Sequence, residues 1–313
     1  MMDHYYTHRR HGHNYMRDNE TEIDPEGHAT DLFTQWAIET VEQCAQDEDP
    51  FLLYLAYNAP HTPIQPPDEW LAKVRRREPE ISDRRARYVA LVEHMDAGIG
   101  RVREAIDTCG IASDTFVIYV SDNGGQVDAG ASNGPLRGAK QQMYEGGIRV
   151  PCCACQPGTI PPGKVSDEPA MLMDLFPTAC EIAGVEITHE IDGYSLLPTL
   201  KGHSQDFSSR CFYWVRREGG KWSNRTYLGN AYHGVRLGNL KLLHDDAFRP
   251  LELYDVNADP KETCDLASDR VADMNALSKH LQEQVQKGGG TPWQKRSGRT
   301  FDGDSLTSPQ NCS

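Results

Sequence analysis

Thr115-Phe116-Val117-Ile118-Tyr119-Val120, followed at once by Ser121-Asp122-Asn123-Gly124-Gly125, decides how this chain is read. Every residue of 115–120 is β-branched or aromatic, the composition of a buried strand. The polar, glycine-rich run behind it is a turn at the strand's carboxyl end, where α/β proteins gather their chemistry. Upstream, beginning after Ser82, Tyr88, Leu91, Val92, Met95, Ile99, Val102 and Ile106 keep three- and four-residue spacing until Gly110, which predicts a long amphipathic helix. Further back, Phe51-Leu52-Leu53-Tyr54-Leu55-Ala56-Tyr57 is too short for a helix and predicts a second strand buried on both faces. The four prolines of 58–70 make the segment after it a loop. Strand, helix, strand in this order predicts a parallel sheet with crossover helices, an α/β fold.

Outward from that unit, Leu32, Phe33, Trp36, Ala37, Val41 and Cys44 recur at helical spacing over 29–45, with Thr30 as the expected N-cap. A strand is expected near 148–155 and a helix from about Ala170 to Gly184. Beyond Gly202 the pattern changes to short apolar runs at Cys211 to Val215, Tyr227 to Leu228, Gly234 to Leu237 and Leu240 to His244, separated by turn residues. These predict a small antiparallel sheet, closed by a helix over 271–286. The expected division is a polar connector over 1–28, the main α/β domain over 29–202, a small α+β domain over 203–287 and a disordered tail over 288–313.

Composition excludes several classes. Lys and Arg number 32 against 46 Asp and Glu, a net charge of −14, the wrong sign for nucleic acid. No apolar stretch approaches the roughly 20 residues that span a bilayer, so no membrane partner is expected. The polar, histidine-rich opening lacks the apolar core of a secretory signal. The nine cysteines contain no zinc-type Cys-x-x-Cys spacing, and Cys152, Cys153 and Cys155 are read as small core residues of a buried strand.

Three segments carry chemistry. In Asn58-Ala59-Pro60-His61-Thr62-Pro63 the flanking prolines restrict the backbone around an imidazole of near-neutral pKa. Asp122 and Asn123 place two hard oxygen donors side by side before a sharp glycine turn, as a calcium or magnesium site requires. The glycines around Arg137 and Lys140 bring a compact ammonium toward an oxyanion. Other clusters are weaker. The arginines of His8-Arg9-Arg10-His11-Gly12-His13 repel a metal cation; Glu93, His94 and Asp96 do not converge on one point of a helix and read as a solvated face. The arginines at 75–77 and 84–87 read as an exposed helix entry rather than a substrate-steering patch.

In combination these segments resemble the sulfatase family of the alkaline-phosphatase-like superfamily. The resemblance rests on PFLLYLAYNAPHTP, RYVALVEHMDAGIGRV, FVIYVSDNGG, LRGAK, YEGGIRVP, DLFPTACEIAG, IDGYSLLPTLKG and ELYDVNADPKETCDL, in family order over about three quarters of the chain. It implies an α/β/α sandwich, incomplete on its N-terminal side, with a smaller C-terminal antiparallel-sheet-plus-helix domain. It implies hydrolysis of aryl or carbohydrate sulfate esters. Asp122 and Asn123 then resemble ligands of a divalent cation, usually calcium; His61 resembles the histidine that assists the leaving alcohol; Lys140 resembles the lysine that binds the sulfate. A sulfated small molecule or glycan is the implied partner, and relatives are commonly exported to periplasm, exterior or lysosome.

The family's nucleophile, a formylglycine made within Cys-x-Pro/Ala-x-Arg, has no counterpart among the nine cysteines. Also absent are the first Asp-Asp metal pair and the Gly-Lys-x-His segment. These residues alone are therefore expected to be inactive and to bind the cation weakly, with a missing N-terminal segment as a possible partner in trans. Two other readings stand beside this one: a non-catalytic sulfatase-like protein that binds sulfated glycan or a partner chain, and a phosphoesterase of the same superfamily.

Overall fold

The computed structural model describes residues 4–47, 49–217, 231–244 and 249–287. The chain divides into two compact units, residues up to 141 with 146–205, and residues 142–145 with those from 206 onward. The first unit opens with two hairpins, β1 (Arg9–Arg10) with β2 (His13–Asn14) and β3 (Arg17–Asp18) with β4 (Thr21–Glu22), both antiparallel. Three helices follow: α1 (Ala29–Cys44), α2 (Asp68–Arg77) and α3 (Asp83–Thr108). Then come β5 (Val117–Val120), the one-turn α4 (Glu145–Ile148), β6 (Cys152–Cys155), α5 (Leu175–Ile182) and the one-turn α6 (Leu197–Leu200).

The core of this unit forms where α1 lies on α3. Ala37 and Val41 pack against Val102, Ala105 and Ile106, joined by Leu53, Leu55 and Val117. The small residues are needed for the close approach: a Cβ on Gly98 would sit 2.5 Å from Thr34 Oγ1. A smaller cluster seats Leu71 and Val74 of α2 on Ala86 and Ala90 of α3. Ser82 caps α3 as expected, its hydroxyl accepting from the Arg85 N–H. The cap of α1 is His28, not Thr30: the ring Nδ1 accepts from the Thr30 N–H at 3.2 Å. An imidazole nitrogen here does the work of the usual hydroxyl or carboxylate oxygen. Helix α2 was hidden in the sequence behind the proline run that precedes it.

Three expectations are corrected. Residues 51–57 are extended but form no ladder, and their peptide groups make no backbone hydrogen bond to any described residue. Strand alternation turns Leu53 and Leu55 onto the α1–α3 cluster, while Leu52 and Tyr54 are 87% and 86% exposed. The run is therefore buried on one face rather than two. The second correction concerns the sheet: β5 pairs with β6 antiparallel, from Val117 opposite Cys155 to Val120 opposite Cys152. The 31 residues between them contain only a 3₁₀ turn and α4, so no crossover helix carries the chain back to a parallel start. Third, Cys152 and Cys153 are exposed and Cys155 is half-buried, because β6 has a neighbour only in β5 among the described residues.

The second unit is a four-stranded antiparallel sheet in the order β10-β9-β8-β7, formed by β7 (Cys211–Arg217), β8 (Ala231–Leu237), β9 (Leu240–His244) and β10 (Glu252–Asp255). Gly238, at φ +56°, starts the two-residue turn between β8 and β9. Helix α7 (Val271–Lys287) sets Leu277 against Val235, Leu242 and Leu253. This is the antiparallel sheet the sequence predicted, with β10 added. The strand expected at Tyr227 to Leu228 and the tail from 288 lie outside the described residues. Inside the unit, Lys241 Nζ lies 2.8 Å from both Glu145 and Glu262, all three side chains buried. Burial pushes the Glu262 carboxyl above its usual range, with Lys241 acting in the opposite direction.

Candidate functional site

The turn after β5 is built by close backbone contact. The Ser121 N–H reaches the Pro151 carbonyl at 3.2 Å, and the Gly124 N–H reaches that of Gly147 at 2.9 Å. A Cβ on Gly124 would lie 1.9 Å from the Gly146 oxygen, so no other residue fits. The Gly146 N–H donates to Arg137 at 2.7 Å and the Lys140 N–H to Gly125 at 3.1 Å. Asn133 completes the layer: its Oδ1 accepts from the Gly125 N–H at 2.8 Å, and its Nδ2 donates to the carbonyls of Gly125 and Gly138. Segments separated in sequence, 121–125, 133–140 and 146–151, thus meet at one strand end. Asp122, Asn123 and Lys140 are carried by that shared layer. Asn133 was not singled out from the sequence, where it is one more polar residue in a glycine-rich loop.

Asp122 is exposed and Asn123 half-buried, and the Asn123 amide donates to the Gly124 carbonyl at 3.0 Å. The negative charge of Asp122 acts on Tyr88 of α3, whose phenol is pushed above its ordinary value by burial first, then by Tyr119 and Asp122, with Arg85 opposing.

His61 sits in the loop after residue 57. Its N–H donates to the Asn58 carbonyl at 2.9 Å, and its Nδ1 lies 2.7 Å from the Thr62 carbonyl. A carbonyl only accepts, so Nδ1 carries a proton and Nε2 is the basic nitrogen of the neutral ring. Ala59-Pro60 and Thr62-Pro63 are both cis. The loop is stapled by the opening segment. The hydroxyl of fully buried Tyr5 is shared between the carbonyls of Asn58 and His61 at 3.0 and 2.9 Å. The Tyr5 N–H donates to Gln65 Oε1, its ring stacks on His28, and His28 Nε2 donates to the Gln65 carbonyl. Sequence reasoning missed Tyr5; the aromatic pair Tyr5-Tyr6 in an otherwise polar opening was the available signal. The Asn58 amide is buried with neither its nitrogen nor its oxygen hydrogen-bonded among the described residues.

Asp122 and Asn123 have the hard-oxygen chemistry of a calcium site, but the ion takes six to eight oxygens. Among the described residues the sole group of three side chains with converging ligand atoms is elsewhere, His28, Asp31 and His94. The donors at the strand end therefore match the cation in kind and fall short in number. The His28 group is structural: both of its ring nitrogens are engaged, and burial drives its pKa down to about 4. His94 is buried, with Nε2 on Asp31 at 2.9 Å, which corrects the solvated reading of that face. Glu93 pairs with Arg77, and Arg75 and Arg87 pair with Asp83, so these arginines are engaged at the helix entry.

A mixed α/β unit with oxygen donors and a lysine-bearing loop gathered at a strand end, together with a small antiparallel sheet, has the makeup of an alkaline-phosphatase-like fold. The family model described as Sulfatase matches residues 2–185, and that described as N-sulphoglucosamine sulphohydrolase, C-terminal, matches 139–289. The chain belongs to the sulfatase family. It is 34% identical over 223 residues to N-acetylgalactosamine-6-sulfatase of Mus musculus, covering 69% of this chain and 38% of that protein. It is 39% identical over 168 residues to steryl-sulfatase of Mus musculus, covering 50% and 25%. Among solved structures, Ps i-CgsB in complex with k-i-k-neocarrahexaose superposes with a TM-score of 0.77 at 28% identity, over 85% of this chain and 56% of that one. The chain thus spans well under half the length of these curated relatives.

Proposed function

We propose that this chain carries the leaving-group half of a sulfuric-ester hydrolase site, acting on a carbohydrate sulfate ester. The observation that supports this most strongly is the backbone layer that joins Lys140 to the Asp122-Asn123 turn. Asp122 and Asn123 would contribute oxygen ligands to a divalent cation, which supplies positive charge to a sulfate oxygen when bound. The Lys140 ammonium binds the sulfate and stabilises negative charge on the departing oxygen. His61, with Nδ1–H fixed by the Thr62 carbonyl, presents Nε2 toward the leaving alcohol and donates a proton to it from the imidazolium form, which returns to the neutral ring with Nε2 as the basic nitrogen. The carbohydrate preference follows the relative named N-acetylgalactosamine-6-sulfatase, which aligns with more of the chain than the steryl-sulfatase does.

None of the 313 residues forms a Cys-x-Pro/Ala-x-Arg motif, and in this reading the nucleophile is supplied in trans or by fusion. The test combines this chain with the formylglycine-bearing portion of a sulfatase relative, as a fusion or in trans, and measures sulfate release from N-acetylgalactosamine 6-sulfate with added calcium. His61→Ala and Lys140→Ala are each expected to lower the rate at least about a hundredfold, the scale of a general acid or an oxyanion donor. Full activity in both variants would overturn the assignment.

A further inference from the structure

The two opening hairpins enclose an open pocket of about 540 Å³ that shares no residue with the strand-end site. Residues 4–17 hold three arginines and four histidines and no acidic residue, in a chain whose net charge is −14. Arg9, His13 and Arg17 line the pocket with Tyr15 and Glu22. The scaffold is firm. His11 and Gly12, both at positive φ, close the first hairpin in the tight two-residue turn that twisted strands favour. Asn14 ties the hairpins together, donating to the Ile23 carbonyl at 2.7 Å and accepting from the Met16 N–H at 2.9 Å. Beneath them, fully buried His8 bonds the Gly27 carbonyl.

The lining is matched to an anion on a sugar. Arg9 places Nη2 on Asp24 at 2.8 Å and Nη1 on the Thr7 carbonyl at 3.4 Å; Arg17 places Nη2 on Glu22 at 3.1 Å and Nη1 on the carbonyls of Met16 and Asn14 at 2.8 and 3.4 Å, and both side chains stay 40% or more exposed. Neither Nε takes part in these bonds, and a guanidinium has five donors in a fork that fits a tetrahedral oxyanion. Tyr15, 46% exposed, adds an apolar ring with a polar tip, suited to the mixed face of a sugar. Glu22 is the built-in competitor, since its carboxylate occupies the Arg17 edge a ligand needs.

We propose that this pocket is a binding site for the sulfate group of a sulfated saccharide, with Arg9 and Arg17 as its anion contacts and Tyr15 as its sugar platform. The choice of a sulfated sugar rests on the sulfatase reading above; the pocket itself rests on its own residues. The test is isothermal titration of the full chain with a sulfated galactan hexasaccharide, its desulfated counterpart and an oligouronate of equal charge. The sulfated hexasaccharide should bind, the desulfated one should not, and the oligouronate should bind at least about fivefold more weakly. Arg9→Gln and Arg17→Gln should each weaken binding about tenfold, the loss of one charge-assisted contact. Glu22→Gln should tighten it, which unfolding cannot imitate. No binding, equal binding of the desulfated or carboxylated sugars, or insensitivity to Arg9 and Arg17 would overturn the proposal. Those results would leave the hydrolase reading standing, because it is tested by sulfate release through His61 and Lys140. Conversely, silent reconstitution with Arg17-dependent binding would retain the pocket and remove the enzyme.

Discussion

Residues 51–57 and strand β9 are two apolar runs with opposite fates. In β9, Leu242 and Leu243 are fully buried, with β8 and β10 bonded on either side. In the run at 51–57, more apolar by composition, Leu52 and Tyr54 stand almost fully in solvent and no ladder forms with any described residue. The difference lies in the neighbours. A strand is buried by what pairs with it and packs on it, and unpaired peptide groups remain a template for another strand. The run is followed by Asn58, whose buried amide has no hydrogen-bond partner among the described residues, and leads directly into the His61 loop. The least paired segment of the first unit therefore adjoins the loop proposed to carry the leaving-group histidine.

This contrast can be broken by substitution. Leu243→Ala should cost about 2–5 kcal/mol in a denaturant titration, as a large-to-small change in a closed core. Leu52→Ala should stay within about 0.5 kcal/mol, as at an exposed site; equal costs would mean that the two runs are equally packed. Next in size, Tyr5→Phe should cost about 1 kcal/mol through the hydroxyl shared by Asn58 and His61. A neutral result there would show that the staple does not hold the loop. A pH series should produce a separate effect specific to the first unit. His28 is held neutral down to about pH 4, below its ordinary 6.5, so the unfolded chain takes up the proton first. Stability should therefore fall as pH drops from about 6.5 toward 4, and His28→Gln should flatten that part of the profile. The smallest stability change is expected for Tyr54→Lys, whose gain should appear instead as slower aggregation at high protein concentration.

Much of this was legible in the sequence where periodicity and punctuation agreed. The spacing from Tyr88 to Ile106 and the cap at Ser82 fixed α3, and the short runs after Gly202 gave the antiparallel sheet. The strand end with Asp122 and Asn123 was visible from composition alone. What failed was any property set by distant partners. The antiparallel pairing of β5 with β6 depends on the path of residues 121–151, and the one-sided burial of 51–57 depends on the α1–α3 cluster that covers Leu53 and Leu55. His28 as a helix cap, Tyr5 as a loop staple and Asn133 as the tie between Gly125 and Gly138 are ordinary residues in sequence that acquire roles only through contacts up to some sixty positions away.

The most direct test of the account is sulfate release by the purified 313-residue chain alone, with N-acetylgalactosamine 6-sulfate and saturating calcium. No release above buffer is expected, since the roles proposed for Lys140 and His61 supply nothing that attacks sulfur and the 313 residues contain no Cys-x-Pro/Ala-x-Arg motif. Turnover that is abolished by Lys140→Ala or His61→Ala would contradict it, because the site would then contain its own nucleophile.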